Sequence, residues 1–346
     1  MEQHIAKFWQ PLDNGRIECL LCPQDCKIPD GQSGLCRGRV HKGDKLIAES
    51  YGRATSVSLD PIEKKPLYHF FPGKRILSAG TYGCNLRCQF CQNCEISQQS
   101  PPNVAYEEIS PEDLVSMANS QHSIGIAYTY NEPFIWYEYV YDTSVLARQN
   151  GLANVLVTNG YVNPKPLAEI LPLIDAMNID IKAFTDDFYR KVTGSSLAPV
   201  LETVKTSVKA GVHVETTTLI IPGYNDSPKE LQALTDWMAD ELGPHVPAHL
   251  SAYFPRYKFK APPTSVDDLR KAYDILKKKL TYVYMGNVVC DEGCHTYCQK
   301  CGAVQVERFG YSIKRVNLKK DGSCAKCGTQ NRFVETIKPP PSVSDK

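Results

Sequence analysis

Neither an excess of one charge nor a long apolar run is present in this 346-residue sequence, and each absence excludes a class of partner. The 39 basic and 38 acidic residues leave a formal net charge of +1, so bulk charge indicates neither nucleic acid nor an anionic membrane. No stretch is apolar for the length that a bilayer requires. Residues 1–10 carry Glu2 and Lys7 and lack the apolar segment of a signal peptide. We therefore expect a cytoplasmic protein without membrane contact.

Cysteine is absent from the long interval between Cys94 and Cys290 but abundant elsewhere. The 14 cysteines fall into three groups, at residues 19–36, 84–94 and 290–327. A secreted protein stapled by disulfides would spread its cysteines more evenly. Grouped thiols without a signal peptide favour metal held by thiolates in a reducing compartment.

Short apolar runs alternate with helical patterns between the second and third cysteine groups, which is typical of repeated β-α units and a parallel sheet. The runs predict six strands, at residues 75–79, 124–130, 153–158, 177–181, 212–221 and 249–254. Capping patterns at Ser110 and Ser227, and a segment from about 265 to 280, predict intervening helices. The expected fold class is α/β, a partial, open parallel β/α barrel with functional residues at the C-terminal ends of its strands.

The composition divides the chain into four parts. We expect an N-terminal Cys-rich module over residues 1–60, the barrel over 70–288, a zinc-ribbon-like module over 289–337 and a disordered tail over 338–346. The two flanking modules are rich in cysteine, glycine and basic residues and show little helical periodicity. The tail reads Pro-Pro-Pro-Ser-Val-Ser-Asp-Lys and cannot bury apolar surface.

Three cysteines follow the first predicted strand in a C-x3-C-x2-C pattern, namely Cys84, Cys88 and Cys91. A cubane cluster has four irons, so three thiolate ligands leave one iron open to a small molecule, as in a catalytic metal site. The alternative is a zinc site with Cys94 as the fourth ligand. Zinc knuckles usually come as two separated C-x2-C pairs, and the aromatic Phe90 before the third cysteine also favours the cluster.

With this loop the chain resembles the radical S-adenosylmethionine (SAM) superfamily. Cys91-Gln92-Asn93 is similar to the C-x-N ending of the loop in glycyl-radical activating enzymes. The resemblance implies that Cys84, Cys88 and Cys91 hold a 4Fe-4S cluster. It also implies that the cluster binds SAM and cleaves it reductively, giving methionine and a 5′-deoxyadenosyl radical that abstracts hydrogen from a substrate.

The resemblance continues at the ends of later strands and implies further cofactor contacts. Glu132-Pro133 matches the end of the superfamily's Gly-Gly-Glu-Pro, whereas Tyr130 and Asn131 replace its glycines. Thr158-Asn159-Gly160 and Asp180-Ile181-Lys182 resemble segments that line the SAM site in activases. The implied cofactor-binding residues are Phe90, Asn131, Glu132, Asn159, Asp180 and Lys182. Alternative interpretations are a helix N-terminal acid at Glu132, an ordinary Asn-Gly turn at Asn159, and an ion pair between Asp180 and Lys182.

Two C-x2-C-Gly knuckles occupy the third cysteine group. Four thiolates in this arrangement are typical of a closed zinc site, or of a rubredoxin-like iron site, and stabilise a small fold that lacks a core. We predict zinc, bound by Cys298, Cys301, Cys324 and Cys327. Cys290, Cys294 and His295 precede the knuckles and are either further ligands or thiols without a metal.

The first cysteine group supplies four more thiolates, from Cys19, Cys22, Cys26 and Cys36. Zinc and an auxiliary iron–sulfur cluster both fit four thiolates, and the spacing along the chain does not separate them. We expect zinc or an auxiliary cluster at these cysteines, and the alternative is a purely structural role, with zinc or that structural role slightly favoured.

Four motifs occur together in this sequence: the N-terminal C-x2-C-P-x2-C, Tyr-Thr-Tyr-Asn-Glu-Pro, Asn-Ile-Asp-Ile-Lys and the C-terminal Thr-Tyr-Cys-x2-Cys-Gly. With them, the sequence resembles over nearly its whole length the radical SAM enzymes of the AmmeMemoRadiSam system. The resemblance implies Memo-like and AMMECR-like proteins as partners and an electron donor such as flavodoxin or ferredoxin. It leaves the substrate open. Two other functions are considered: activation of a glycyl-radical enzyme, and non-catalytic binding by a zinc-rich protein.

Overall fold

The computed structural model describes residues 3–288 and 292–337. Its N-terminal part is built of short strands, because glycine, proline and aspartate turns interrupt the chain every few residues. They are β1 (Trp9–Pro11), β2 (Ile17–Cys19), β3 (Lys27–Ile28), β4 (Arg39–Lys42), β5 (Lys45–Ala48) and β6 (Arg53–Ala54). Strands β1, β2 and β3 form an antiparallel sheet, and β4 pairs with β5 as a hairpin.

One eight-stranded sheet forms the core of the fold. Its strands are β7 (Ser56–Pro61), β8 (Arg75–Gly80), β10 (Gly125–Tyr128), β11 (Ala153–Thr158), β12 (Ala176–Asp180), β13 (His213–Ile220), β14 (Ala248–Ala252) and β15 (Val283–Gly286). The short strand β9 (Glu107–Glu108) lies outside this sheet and pairs with β6. The order across the sheet is β7-β8-β10-β11-β12-β13-β14-β15, and every pair is parallel except β7 with β8. Because the two edge strands β7 and β15, both within the described residues, do not pair with each other, the sheet is an open α/β barrel, as predicted.

Helices connect the parallel strands. They are α1 (Cys94–Ser97), α2 (Pro111–Ser120), α3 (Tyr137–Gln149), α4 (Pro164–Ile170), α5 (Asp186–Phe188), α6 (Ala198–Lys209), α7 (Pro228–Trp237) and α8 (Val266–Lys277). Short 3-10 turns lie at Ile62–Lys64, Pro133–Trp136 and Leu171–Leu173, and π-helical turns at Tyr189–Thr193 and Met238–Leu242. Ser110, Ser227 and Ser265 cap α2, α7 and α8 through their side chains, which confirms the predicted helix starts. No helix in the described part of the chain is long and apolar enough to cross a membrane.

All six predicted strands are present within two residues of their predicted bounds. Two strands of the sheet were missed. Strand β15 is only four residues long and lies close to the third cysteine group, and β7 is an antiparallel edge strand that runs into polar residues. The predicted strand 124–130 ends early at Tyr128, because Tyr130 adopts a left-handed φ of 71° that turns the chain.

The C-terminal part is a small antiparallel sheet of β16 (Thr296–Tyr297), β17 (Val304–Phe309) and β18 (Ser312–Val316). Arg308 of β17 is buried and fixes this sheet across the open side of the barrel. Its guanidinium donates to the carbonyl oxygen of Tyr68 at 2.7 Å, and lies 4.1 Å and 5.8 Å from the ring centres of Tyr68 and Tyr284. Cys290 and the predicted tail at 338–346 lie outside the described residues.

Candidate active site

A cavity of about 510 Å³ opens at the C-terminal ends of the parallel strands. This size is in the usual range for a small-molecule site, and the position is where β/α barrels carry their functional residues. A smaller cavity of about 390 Å³ lies at the opposite ends, near His213 and Pro247. The larger cavity collects every residue predicted for the central site, namely Cys84, Cys88, Phe90, Cys91, Asn131, Glu132, Asn159, Asp180 and Lys182.

The loop that carries the three central cysteines is held in place from several sides. The Arg87 and Gln89 N–H groups donate to the carbonyl oxygens of Thr193 and Val192, at 2.7 Å and 3.0 Å. Burial raises the pKa of the Cys84 thiol well above its ordinary value and that of Cys88 to about 12. A buried thiol is therefore neutral near pH 7 unless a metal ion replaces its proton.

The spacing of these cysteines differs from that of a zinc site. Zinc–thiolate bonds of about 2.3 Å place the sulfurs of a tetrahedral site about 3.8 Å apart. No three of the sulfurs of Cys84, Cys88, Cys91 and Cys94, all within the described part of the chain, lie within 4.8 Å of one another. Cys94 begins α1, and the cavity lining does not include it. The geometry therefore favours a larger metal group over a single zinc ion.

Two asparagines join neighbouring strand ends to the cysteine loop. Asn159 directs its Nδ2 to the sulfur of Cys84 at 3.6 Å and to Oδ1 of Asn85 at 2.9 Å. Asn131 donates from Nδ2 to the carbonyl oxygen of Gly83 at 2.9 Å, and its Oδ1 accepts from the Thr81 N–H at 3.2 Å. These contacts make both asparagines positioning residues for the loop. If a metal binds at Cys84, the contact from Asn159 would also affect its electronics, because hydrogen bonds to ligand sulfur do so.

Glu132 lies fully buried at the cavity wall. Its Oε1 accepts from Oγ1 of Thr158 at 2.7 Å and from the Phe134 N–H at 3.0 Å, and its Oε2 accepts from the Asn159 N–H at 2.8 Å. A carboxylate offers about four acceptor sites, so about one remains for a ligand. Burial raises the pKa of Glu132 to about 7, although these three donors oppose the shift. The residue also caps the 3-10 turn at Pro133–Trp136, so the alternative of a helix N-terminal acid holds as well.

Asp180 and Lys182 form the ion pair that was the alternative interpretation. Lys182 Nζ lies 2.9 Å from Oδ2 of Asp180, and both side chains line the cavity. The ammonium also lies 6.0 Å from the ring centre of Phe90, whose side chain is buried. The pair leaves charged groups of both signs at the cavity wall, which suits a zwitterionic ligand.

The sequence did not reveal a cluster of charges at the mouth of the cavity. Asp60 of β7 accepts from Lys64, Lys65 and the Tyr130 hydroxyl at 2.9 Å, 2.7 Å and 2.6 Å. Burial lowers the pKa of Lys65 to about 8, while Asp60 opposes that shift. Tyr311 also lines the cavity, from the turn between β17 and β18. The only signal in the sequence was the pair of adjacent lysines shortly after Asp60-Pro61. Their place at the cavity could not be inferred from it, because it depends on strand β7, which was not predicted.

The four cysteines of the C-terminal knuckles form a compact group. All four sulfurs lie within 4.8 Å of one another, with 3.6 Å between Cys298 and Cys327 and 3.8 Å between Cys301 and Cys324. These distances match the edge of a tetrahedral thiolate site. The group fits a zinc-ribbon-like module, and Cys294 is not part of it.

The four N-terminal cysteines also lie together. Cys19, Cys22, Cys26 and Cys36 line one enclosed cavity with Gln24, Arg39 and Asn85. Asn85 belongs to the central cysteine loop, so this third cavity lies directly behind the central site.

The central site, with three cysteines and a buried glutamate at the strand ends of an open β/α barrel, has the architecture of a radical SAM enzyme. The sequence model of the radical SAM superfamily matches residues 79–237. The chain is 45% identical over 332 residues to the uncharacterized protein MJ0808 of Methanocaldococcus jannaschii, covering 95% of this chain and 99% of that one. It is 24% identical over 177 residues to pyruvate formate-lyase 1-activating enzyme of Escherichia coli K12, covering 49% of this chain and 70% of the enzyme. Streptococcus suis SuiB superposes with a TM-score of 0.48 at 13% identity, over 60% of this chain and 48% of SuiB.

The chain belongs to the radical SAM superfamily and is homologous to pyruvate formate-lyase activating enzymes. It is therefore an enzyme, against the alternative of a non-catalytic zinc-binding protein. Membership implies SAM and an iron–sulfur cluster as cofactors.

Proposed function

We propose that Cys84, Cys88 and Cys91 hold a 4Fe-4S cluster at which this enzyme reductively cleaves SAM. When bound, the cluster supplies one electron to the sulfonium of SAM, which yields methionine and a 5′-deoxyadenosyl radical that abstracts hydrogen from the substrate. The observation that carries the proposal is the wide spacing of these three sulfurs inside the cavity that also contains Glu132.

The chain's own residues orient SAM in this proposal. Glu132 faces the ammonium of SAM with its remaining acceptor site, since its other sites are occupied by Thr158, Asn159 and Phe134. Asp180, Lys182 and Phe90 line the same cavity and would contact the rest of the cofactor. Asn131 and Asn159 keep the cysteine loop against the strand ends and so preserve the geometry between thiolates and SAM.

The C-terminal cysteines are assigned a structural zinc ion. Their four sulfurs occupy all tetrahedral positions, so no site remains for a substrate. The zinc would stabilise β17, which carries Arg308, and the following turn, from which Tyr311 lines the mouth of the cavity.

Within the radical SAM superfamily, we propose that this enzyme belongs to the AmmeMemoRadiSam system. This assignment rests on the sequence motifs. It includes Memo-like and AMMECR-like proteins as partners. A flavodoxin or ferredoxin is the proposed electron donor, in line with the homology to activating enzymes.

A second candidate function is activation of a glycyl-radical enzyme, which the homology to pyruvate formate-lyase 1-activating enzyme favours. It predicts that a glycyl-radical enzyme incubated with this protein, SAM and reductant acquires an oxygen-sensitive glycyl radical visible by EPR. Cleavage of SAM without radical formation in any such partner would reject this candidate and retain the first.

The first proposal is tested by quantifying 5′-deoxyadenosine and methionine after anaerobic reconstitution and reduction. The wild type and the Cys94→Ala control should produce both compounds, because Cys94 does not line the cavity. Cys88→Ala should produce neither while retaining its C-terminal zinc. SAM cleavage by Cys88→Ala at the wild-type rate would overturn the ligand assignment.

A further inference from the structure

The N-terminal cysteine group is built like a second metal site. Cys19 ends β2, Cys22 and Cys26 lie in the turn to β3, and Cys36 precedes β4. No disulfide joins them, and three of the four side chains are buried. The cavity between them is closed by the apolar side chains of Leu21, Ile28, Leu35 and Ile135. Four shielded thiols that face one cavity are the donor set of a thiolate-bound metal centre.

The spacing of these sulfurs separates an iron–sulfur cluster from zinc, which the sequence could not do. The C-terminal quartet, Cys298 and its three partners, has the close spacing of a zinc site. Among Cys19, Cys22, Cys26 and Cys36, which all belong to the described residues, no three sulfurs lie within 4.8 Å of one another. The N-terminal group shares this wide spacing with Cys84, Cys88 and Cys91. This spacing favours a centre larger than one ion.

Arginine side chains supply positive charge around the N-terminal group. Arg39 is buried, lies 3.7 Å from the sulfur of Cys19 through Nη1, and pairs with Glu138. Arg37 follows Cys36 directly in the chain, and negative charge at Cys36 and Cys84 would raise the pKa of its guanidinium. Its Nη1 is buried without a hydrogen-bond partner among the described residues. An anionic metal centre would complete these contacts. Zinc with four thiolates is anionic as well, so the arginines do not distinguish zinc from an iron–sulfur cluster, and the choice between them rests on the spacing of the sulfurs.

The N-terminal group touches the central cysteine loop directly. Gly83 has a φ of 84°, and a Cβ there would lie 2.1 Å from the carbonyl oxygen of Cys36, so the two backbones are in contact. Asn85 lines the N-terminal cavity, and its Oδ1 lies 3.9 Å from the sulfur of Cys84. Gln24 donates to the carbonyl oxygen of Asn85 at 2.9 Å. One residue therefore separates the two sets of thiols.

We propose that Cys19, Cys22, Cys26 and Cys36 hold a second 4Fe-4S cluster that exchanges one electron with the central cluster through the Gly83–Asn85 contact. The reduced second cluster loses one electron, the oxidised central cluster gains it, and no bond is made or broken. A low-potential electron donor protein, such as a flavodoxin or ferredoxin, then reduces the second cluster again. Cluster binding by the N-terminal cysteines does not depend on the proposed function. The electron exchange rests on the proposed function, because it requires the central cluster.

Metal and sulfide analysis of the full chain after anaerobic reconstitution tests the site. The wild type should contain about eight irons, about eight sulfides and one zinc, since each 4Fe-4S cluster carries about four irons. The triple variant Cys84→Ala, Cys88→Ala, Cys91→Ala should retain about half of the iron, and its Mössbauer spectrum should show one cluster. The matched triple variant Cys19→Ala, Cys22→Ala, Cys26→Ala should retain the other half, and Cys94→Ala should retain all of it.

The outcomes separate this inference from the proposed function. A central triple variant that contains two zinc ions and no iron would overturn the second cluster but leave the central one intact. If instead the N-terminal triple variant lacks iron while the central variant keeps it, the central assignment fails. If a variant does not fold, the iron content of the wild type decides, because about four irons would exclude two clusters. Magnetic broadening of the EPR signal in the fully reduced wild type, absent from both triple variants, should report the contact, and sharp signals would refute electron exchange.

Discussion

If Glu132 binds the ammonium of SAM as proposed, Thr158 should set the pH range in which it does so. Its hydroxyl donates to Oε1 of Glu132 at 2.7 Å inside a fully buried site, where the pKa of Glu132 is raised to about 7. A hydrogen bond to a charged group contributes roughly 1.5–3 kcal/mol, and one pKa unit corresponds to about 1.4 kcal/mol. Because valine has nearly the shape of threonine and no hydroxyl, Thr158→Val should raise the pKa of Glu132 by about one to two units.

The sign of the effect follows from the charges. Ionised Glu132 attracts the ammonium of SAM and protonated Glu132 does not, so the affinity of the wild type for SAM should fall as the pH drops through about 7. At pH 7 about half of the wild-type carboxyl groups are ionised, against about 1–10% in Thr158→Val. The Kd for SAM should therefore rise about five- to fiftyfold at pH 7 and return to the wild-type value in alkaline solution.

Calorimetric titration of SAM into the oxidised, cluster-loaded protein measures this Kd across the pH range. Thr235→Val is a matched control, because Thr235 is equally buried but donates to the carbonyl oxygen of Leu231 within α7. The control should keep the wild-type profile. Superimposable profiles for wild type and Thr158→Val would refute the role assigned to Glu132.

Three further changes test other parts of the structure. Asn159→Ala removes the N–H donor that faces the sulfur of Cys84, so the reduction potential of the central cluster should fall in an EPR-monitored titration; an unchanged potential would contradict the contact. Arg308→Leu leaves the buried carbonyl oxygen of Tyr68 without its donor and should lower the free energy of unfolding by about 3 kcal/mol, measured by urea denaturation; an unshifted midpoint counts against it. Cys327→Ser should reduce the zinc content and the hydrogen-exchange protection of β17 and β18 but leave the central cluster loaded, and full zinc retention would exclude the quartet.

The strand pattern was readable from the sequence because the central strands are buried on both faces and form continuous apolar runs. Strand β11 has the predicted bounds, and β13 differs by one residue at each end. Strands β7 and β15 are the two edges of the sheet, where one side lacks a strand partner and the apolar runs are short or broken.

The site residues that belong to a recognisable motif could be predicted from the sequence. Those that reach the cavity only through long-range packing could not. Cys84 and Glu132 follow strands whose C-terminal ends must meet in a parallel sheet, so their convergence follows from topology. Lys65 reaches the same cavity only because β7 adds to the sheet edge in antiparallel orientation. Tyr311 reaches it because Arg308 fixes the C-terminal sheet beside the barrel opening.

The identity of the bound metal was also only partly predictable from the sequence. Sequence spacing counts thiols but does not determine the distance between sulfurs, which depends on how turns and neighbouring elements fold. Cys298 and Cys301 lie in a knuckle whose Gly302 adopts a left-handed φ of 68°, and this tight turn brings the sulfurs together. Cys22 and Cys36 are separated by β3 and a turn, and the chain fold brings both side chains to the wall of one cavity.

The most direct test of the central claim is EPR spectroscopy of the reduced, anaerobically reconstituted protein with and without SAM, beside the Cys84→Ala, Cys88→Ala, Cys91→Ala variant. We expect a cluster signal that shifts when SAM is added to the wild type, and a remaining signal in the variant that does not respond to SAM. A wild-type spectrum that SAM leaves unchanged, or a variant that still responds, would contradict the assignment of the SAM-binding cluster to these three cysteines.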